Sequence, residues 1–267
     1  MNNNATIQAE GVLVFGCLED SRNSGLGADE RAIAAQQSPL KLVSTSKVVR
    51  DGEGRISIVD ASHADVDEEI RRLGPDFSYG VVKIGVISSL PVLQLVCAFL
   101  QRRQRRATVV VDMEAILRTY SAPNEALVTA LVADLLPQTD ILFASVPEAE
   151  TMLKASGTPA EHPRGLGDLK GMAQALQRLG PANVVIKTEM FDVADQWTTL
   201  QYVMCAGSEL SMDRHYFFNP AGFSGASYSV PAAAAARMAQ GSSAGDAVSF
   251  GFRFAEDMLK RGDHFAT

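Results

Sequence analysis

The chain has 267 residues, 46% hydrophobic and 21% charged, with a formal net charge of -7. This is a globular composition, long enough for one large α/β domain or two small ones. The acidic balance argues against nucleic acid or an anionic membrane as the main partner, and the apolar runs are too short or too interrupted to span a bilayer. Cys17, Cys97 and Cys205 lie far apart with no C-x-x-C spacing, and the four histidines show no metal-ligand spacing. The cysteine usage predicts reduced thiols and a cytoplasmic setting. The first ten residues are polar and lack the basic and apolar regions of a signal peptide; they read as a flexible lead into a single domain over 1–267. Arg102, Arg103, Arg105 and Arg106 form one short basic cluster, read as a solvated helix end.

Val12 to Phe15 is a short apolar run ending at Gly16, the pattern of a buried strand. A loop from Cys17 to Gly27 follows, then a helix over Ala28 to Gln37. Strand, Gly/Ser loop and helix in that order are the elements of a ligand-binding turn. Leu40 to Val49 and Arg55 to Val59 read as strands joined by a turn at Asp51-Gly52-Glu53-Gly54. Ser62 or Asp65 caps the next helix. Gly80 to Ile87 is a buried strand with a lysine and a glycine near its end, and Pro91 opens a helix to about Arg103. The strand Thr108 to Val111 delivers Asp112 at its C-terminal end.

Asn124 to Leu136 reads as helix, Asp140 to Phe143 as strand, and Pro147 to Lys154 as a short helix carrying Glu148 and Glu150. Thr158 to Gly167 is a surface loop before a helix closed by Gly180-Pro181. The strand Val184 to Lys187 ends on lysine, and Trp197 to Phe218 reads as paired strands. Two helices, about Val230 to Ala239 and Ala244 to Lys260, finish the chain. Strands alternate with helices throughout, which predicts a mainly parallel sheet covered on both faces. Ligands then bind beyond the carboxyl ends of the strands. Asp112, Glu148, Lys187 and a loop at Gly225 all fall there.

The stretch Gly222 to Gly241 runs from glycine and small polar residues into alanines of strong helix propensity. It fits an anion site at a helix N-terminus. It equally fits a surface loop capping a packing helix, with Pro231 at or near the first turn. Asp112, Lys83, Lys187 and Glu148 have similarly plain alternatives as turn caps, snorkelling lysines and a dipole-matched first-turn acid.

The order of these pieces resembles the hydroxymethylpyrimidine and hydroxymethylpyrimidine-phosphate kinases of thiamine biosynthesis, within the ribokinase-like superfamily. The resemblance runs from about Gly11 to Gly262. It is carried by V-L-V-F-G…S-G-L-G-A-D, V-V-K-I-G at Val81 to Gly85, V-V-V-D at Val109 to Asp112, V-P-E-A-E at Val146 to Glu150, V-V-I-K at Val184 to Lys187, and the Gly225 loop. It implies a three-layer α/β/α sandwich with a mainly parallel central sheet, usually dimeric. It also implies transfer of a phosphoryl group from ATP, with Mg2+, to a pyrimidine hydroxymethyl group or its phosphate. On this resemblance Gly225, Ala226, Ser227 and Tyr228 fill the catalytic loop, and Lys187, Asp112, Glu148 and Ser145 serve the nucleotide. Asp112 and Glu148 serve the metal. Glu19, Asp20, Gly25, Gly85 and Val86 line the acceptor.

The sequence departs from the family at the chemistry. The family's G-T-G-C loop reads Gly225-Ala226-Ser227-Tyr228, so a phenol with an ordinary pKa of about 10 replaces the catalytic cysteine. Ser227 replaces a glycine, Ser145 an asparagine, and Arg22 and Asn23 a glycine pair. Glu189 stands where glycines admit nucleotide phosphates. Ser243 to Val248 imitates the G-A-G-D loop of sugar kinases, but too little chain follows Asp246 for the helices that loop requires. Three readings result: a weak or altered pyrimidine kinase, a non-catalytic small-ligand-binding or regulatory homologue, and a sugar or nucleoside kinase using Asp246.

Overall fold

The computed structural model describes residues 10–19, 24–53, 55–74, 77–102, 107–117, 124–192, 197–218 and 223–260; for 114–115, 189–192, 197–200, 215–218 and 223–227 it describes the backbone alone. The expected flexible N-terminal segment lies outside these residues apart from Glu10, as do Asp20, Arg22, Asn23, Arg103, Arg105 and Arg106.

One nine-stranded sheet runs in the order β3-β2-β1-β4-β5-β6-β7-β8-β9. Its parallel centre is β2 (Leu40–Arg50), β1 (Gly11–Leu18), β4 (Tyr79–Ile84), β5 (Thr108–Asp112), β6 (Ile141–Ser145) and β7 (Asn183–Asp192). β3 (Ile56–Asp60), β8 (Trp197–Ala206) and β9 (Glu209–Phe218) join antiparallel at the two edges. Among the described residues seven helices lie between strands, α1 (Gly25–Ala34), α2 (His63–Arg71), α3 (Leu90–Arg102), α4 (Met113–Leu117), α5 (Glu125–Ala130, running on in π and 3-10 turns to Gln138), α6 (Val146–Ala155) and α7 (Leu166–Gln177), and two, α8 (Phe223–Ala239) and α9 (Ala244–Lys260), follow the last strand.

Alternate residues of each strand feed two cores, as the period of two requires. Leu13, Phe15, Val82, Ile84, Val109, Val111 and Leu142 face the layer of α2, α3, α5, α6 and α7. Val12, Val14, Val81, Val110, Ile141, Phe143 and Val185 face α1, α8 and α9. The expected three-layer, mainly parallel α/β architecture is the one observed. Ser62, not Asp65, caps α2, its side chain accepting the Asp65 amide at 3.1 Å.

Two boundaries are corrected. The strand expected to end on Lys187 runs from Asn183 to Asp192, carried on by its antiparallel pairing with β8. The last pair of helices was expected to begin near Val230, with Pro231 in the first turn; instead α8 begins at Phe223 and holds Pro231 in its interior. Proline costs an internal helix one i→i−4 hydrogen bond, here to the Ser227 carbonyl. Burial of Val230 and of Ala232 to Ala236 between the sheet, α1 and α9 overrides that local cost.

Candidate functional site

The strand register puts the expected polar residues on one side of the sheet. Asp112 ends β5 beside Phe143 of β6, and Ser145 ends β6 in register with Lys187 of β7. Each is an even number of residues from a side chain in the α1–α8–α9 core: Val110, Phe143 and Val185. All three therefore point into that layer, Asp112 and Ser145 at the C-terminal ends of β5 and β6 and Lys187 mid-way along β7, level with the end of β6. Asp112 and Lys187 are each 1% exposed.

α8 runs antiparallel to these strands. Its last turn is fastened at the foot of the sheet, where Gln240 Nε2 donates to the Gln36 carbonyl at 2.6 Å and to Ser38 Oγ at 3.0 Å. Seventeen residues of helix rise about 25 Å, close to the length of an eight-residue strand. The first turn of α8 consequently stands level with the strand ends. Phe223, Ser224 and Gly225 hold first-turn amides that a helix cannot pair internally.

This corrects the expected loop conformation at Gly225 to Tyr228. Gly225, Ala226, Ser227 and Tyr228 belong to the first two turns of α8 rather than to a loop before it. The amides of Ser227 and Tyr228 enter the helical ladder, and Tyr228 is half-buried. Glu189 stands in β7, its side chain outside the described set.

Glu148 sits in the first turn of α6, where it completes a capping box: Ser145 N donates to Glu148 Oε2 at 2.9 Å, and Ser145 Oγ donates to the same oxygen. One Glu148 oxygen is thus spent locally. No group of three or more His, Cys, Asp or Glu side chains converges among the described residues. A magnesium ion held by one or two carboxylates and completed by nucleotide phosphates remains compatible with Asp112 and Glu148, because Mg2+ is usually bound that way.

Of the expected acceptor residues, Glu19, Gly25, Gly85 and Val86 lie beyond the ends of β1 and β4, and Asp20 is outside the described residues. Beyond β1, Glu19 accepts from Ser24 Oγ, and Gly25 opens α1 at φ +55 with its α-carbon against the Cys17 carbonyl, where no Cβ fits. Beyond β4, the Gly85 amide donates to the Phe15 carbonyl at 2.8 Å, and Thr45 Oγ1 donates to the Val86 carbonyl.

Between these segments lies a feature the sequence did not disclose as a pair. Lys83 Nζ donates to both carboxylate oxygens of Asp29, at 2.8 Å each, with both side chains buried. Burial pushes Asp29 above the ordinary carboxylate range; Lys83 opposes that shift and the charge of Asp112 adds to it. A lysine inside the apolar run V-V-K-I-G was the available signal.

Asp246 is elsewhere. It lies in the first turn of α9, exposed, and accepts from Ser243 Oγ at 2.7 Å. It follows the end of α8 fastened at the foot of the sheet, so it is opposite the strand ends. A concavity of about 600 Å3 between the 158–164 loop and α7 belongs to the other helical layer and touches none of these residues.

The sequence pattern described as phosphomethylpyrimidine kinase matches residues 20–266. A thiamine biosynthetic bifunctional enzyme of Arabidopsis thaliana is 24% identical over 248 residues, covering 93% of this chain and 46% of that protein. The chain spans 30% to 46% of the length of three curated relatives it matches. Staphylococcus aureus pyridoxal kinase, solved with AMP-PCP, superposes with a TM-score of 0.81 at 18% identity, over 95% of this chain and 89% of that one. A phosphomethylpyrimidine kinase from Clostridium difficile superposes with a TM-score of 0.73 at 18% identity, over 92% and 99%. At such identities the structural likeness speaks for the ribokinase-like fold.

Proposed function

Since the chain belongs to the phosphomethylpyrimidine kinase family, we propose that it binds Mg-ATP and a hydroxymethylpyrimidine or its phosphate at the C-terminal ends of β1, β4, β5, β6 and β7, and transfers a phosphoryl group slowly between them. The observation that carries this reading is the alignment of Asp112, Ser145 and Lys187 on one face of three adjacent strands, at the ends of β5 and β6 and level with the first turn of α8.

Phosphoryl transfer is mostly positioning and charge stabilisation. In this reading the nucleotide supplies the transferable group. Lys187 offers a cation to the phosphates, and the first-turn amides of α8 add fixed N–H donors. Asp112 and the remaining oxygen of Glu148 would hold magnesium, which would neutralise phosphate charge. The acceptor lies between the Glu19–Gly25 and Gly85–Val86 loops. Tyr228 is the group nearest in sequence to the family's catalytic position, and a phenol is a poor base unless its pKa is lowered.

One observation favours a second reading, a homologue that binds ligand without turnover: Ser227 and Tyr228 lie within helical turns, where their amides are already paired. Homodimerisation and a cytoplasmic location belong to the same proposal; the three cysteines are free and buried, and no described helix is long and apolar enough to cross a membrane. Calorimetry with Mg-ATP and with hydroxymethylpyrimidine phosphate, separately and together, tests the reading. Binding of both supports it, and binding of neither defeats it.

A further inference from the structure

We infer that the buried Lys83–Asp29 ion pair is a positioning strut that holds Gly25, at the start of α1, and Gly85–Val86, beyond the end of β4, at a fixed separation. The inference rests on the proposed function for what those segments contact, and on geometry alone for the strut itself.

Lys83 projects from β4 into the α1–α8–α9 layer, in register with Val14 of β1 and Val110 of β5. Asp29 projects from the fifth position of α1, which begins at the Gly25 turn. The two sites are separated by 54 positions of sequence, and their ion pair links the start of α1 to the end of β4. Two residues beyond Lys83 is Gly85, whose amide is fastened to β1 through Phe15. A Cβ on Gly85 would stand 3.2 Å from Lys83 Nζ, so backbone and ammonium are in close contact. A Cβ on Gly16 would stand 3.9 Å from Asp29 Oδ2 and 3.1 Å from Leu26. Glycine at 16, within β1, and at 85, just beyond β4, lets both backbones close around the pair.

A buried ion pair is an expensive way to gain stability, because the desolvation penalty can exceed the attraction. Well-packed apolar residues in its place are often neutral or stabilising. What they do not supply is directional placement: two hydrogen bonds from one ammonium to both oxygens of one carboxylate fix the position of α1 on β4. Lys83 and Asp29 are positioning residues in this account. They act through Gly25, Gly85 and Val86 and do not themselves touch the acceptor.

The test compares wild type with the double variant Lys83→Met/Asp29→Leu, whose apolar pair keeps the core filled. Backbone amide exchange at Gly85 and calorimetric binding of hydroxymethylpyrimidine phosphate and of Mg-ATP are measured on both. The expected result is at least tenfold faster exchange at Gly85, at least tenfold weaker pyrimidine-phosphate binding, and Mg-ATP binding within twofold of wild type. Unchanged Gly85 exchange overturns the strut. Faster exchange with unchanged pyrimidine-phosphate affinity overturns its link to the acceptor, as does an equal loss of both ligands. A wild-type chain that binds neither ligand defeats the kinase reading and the acceptor link together, and the exchange comparison then decides the strut by itself. If the double variant fails to fold, Lys83→Arg, which keeps the charge and changes the hydrogen-bonding head, is read in the same three measurements with the same criteria.

Discussion

The carbonyl oxygen of Val230 lies 2.6 Å from the point where a Cβ on Gly251 would stand. α8 and α9 therefore cross at backbone contact, and this crossing presses the alanine face of α8 onto the sheet. Gly251→Ala must push the helices apart. It is expected to destabilise the fold by about 1–3 kcal/mol, the usual cost of overpacking. Gly171 of α7 is the control, since a Cβ there meets nothing. Gly171→Ala is expected to stabilise by about 0.5–1 kcal/mol through helix propensity and a less flexible unfolded chain. Urea unfolding of both variants checks the pair of signs.

The Asp29–Lys83 pair makes a second stability prediction. Lys83→Met alone leaves a buried carboxylate without its ammonium and is expected to cost about 3–5 kcal/mol at neutral pH. The deficit should shrink on acidification. Asp29 already titrates above the ordinary carboxylate value because it is buried. A raised folded-state pKa means its contribution to stability is complete below the unfolded value of about 3.9 and is lost as pH rises through the folded one. Removing Lys83 raises that pKa further, so protonation rescues the single variant more than wild type. Urea unfolding at pH 4.5 and 7.5 should give a smaller difference between the two proteins at the lower pH.

Cys97 of α3 is buried, and desolvation together with the charge of Asp134 pushes its thiol up to about 12. The thiolate is the reactive form. Native protein at pH 8 should leave Cys97 unlabelled by an aromatic disulfide reagent for as long as it stays folded, and labelling should follow the unfolding rate as urea is added. The sign for stability follows from the raised value. The contribution is intact below the ordinary thiol pKa and declines as pH climbs toward 12, so Cys97→Ala should flatten the stability profile over that range.

Much of this architecture was legible because parallel strands advertise themselves. V-V-V-D, V-V-I-K and V-V-K-I-G are buried runs that carry one charge, and each places it toward the same end of the sheet, although β7 runs on past Lys187 to Asp192. The capping box of Ser145 and Glu148 was also written in local spacing, as a serine three residues before a glutamate. Two features were hidden for physical reasons. Pro231 is a strong local signal for a helix start, but α8 is clamped by the sheet, α1 and α9, and tertiary packing carries the helix back to Phe223. The Asp29–Lys83 contact joins two elements distant in sequence, and periodicity holds no information on which buried lysine meets which buried acid. The short α4 after Asp112 was missed as well; five residues are too few to show a helical period.

In the proposed function, phosphoryl transfer is slow because Tyr228, inside α8, stands in for the family's catalytic cysteine. Loss of general acid–base assistance costs about 10²–10⁴ in rate, and loss of one preorganised donor about 10²–10³, though such losses do not simply multiply. The direct measurement is ADP formation by the purified chain at saturating Mg-ATP and hydroxymethylpyrimidine phosphate. It is compared with the triple variant Ala226→Thr/Ser227→Gly/Tyr228→Cys, after circular dichroism shows that the variant is folded. The account predicts wild-type turnover at least about a hundredfold below the enzyme median of roughly 10 s⁻¹, and a rise of tenfold or more in the variant. Wild-type turnover near that median would contradict it.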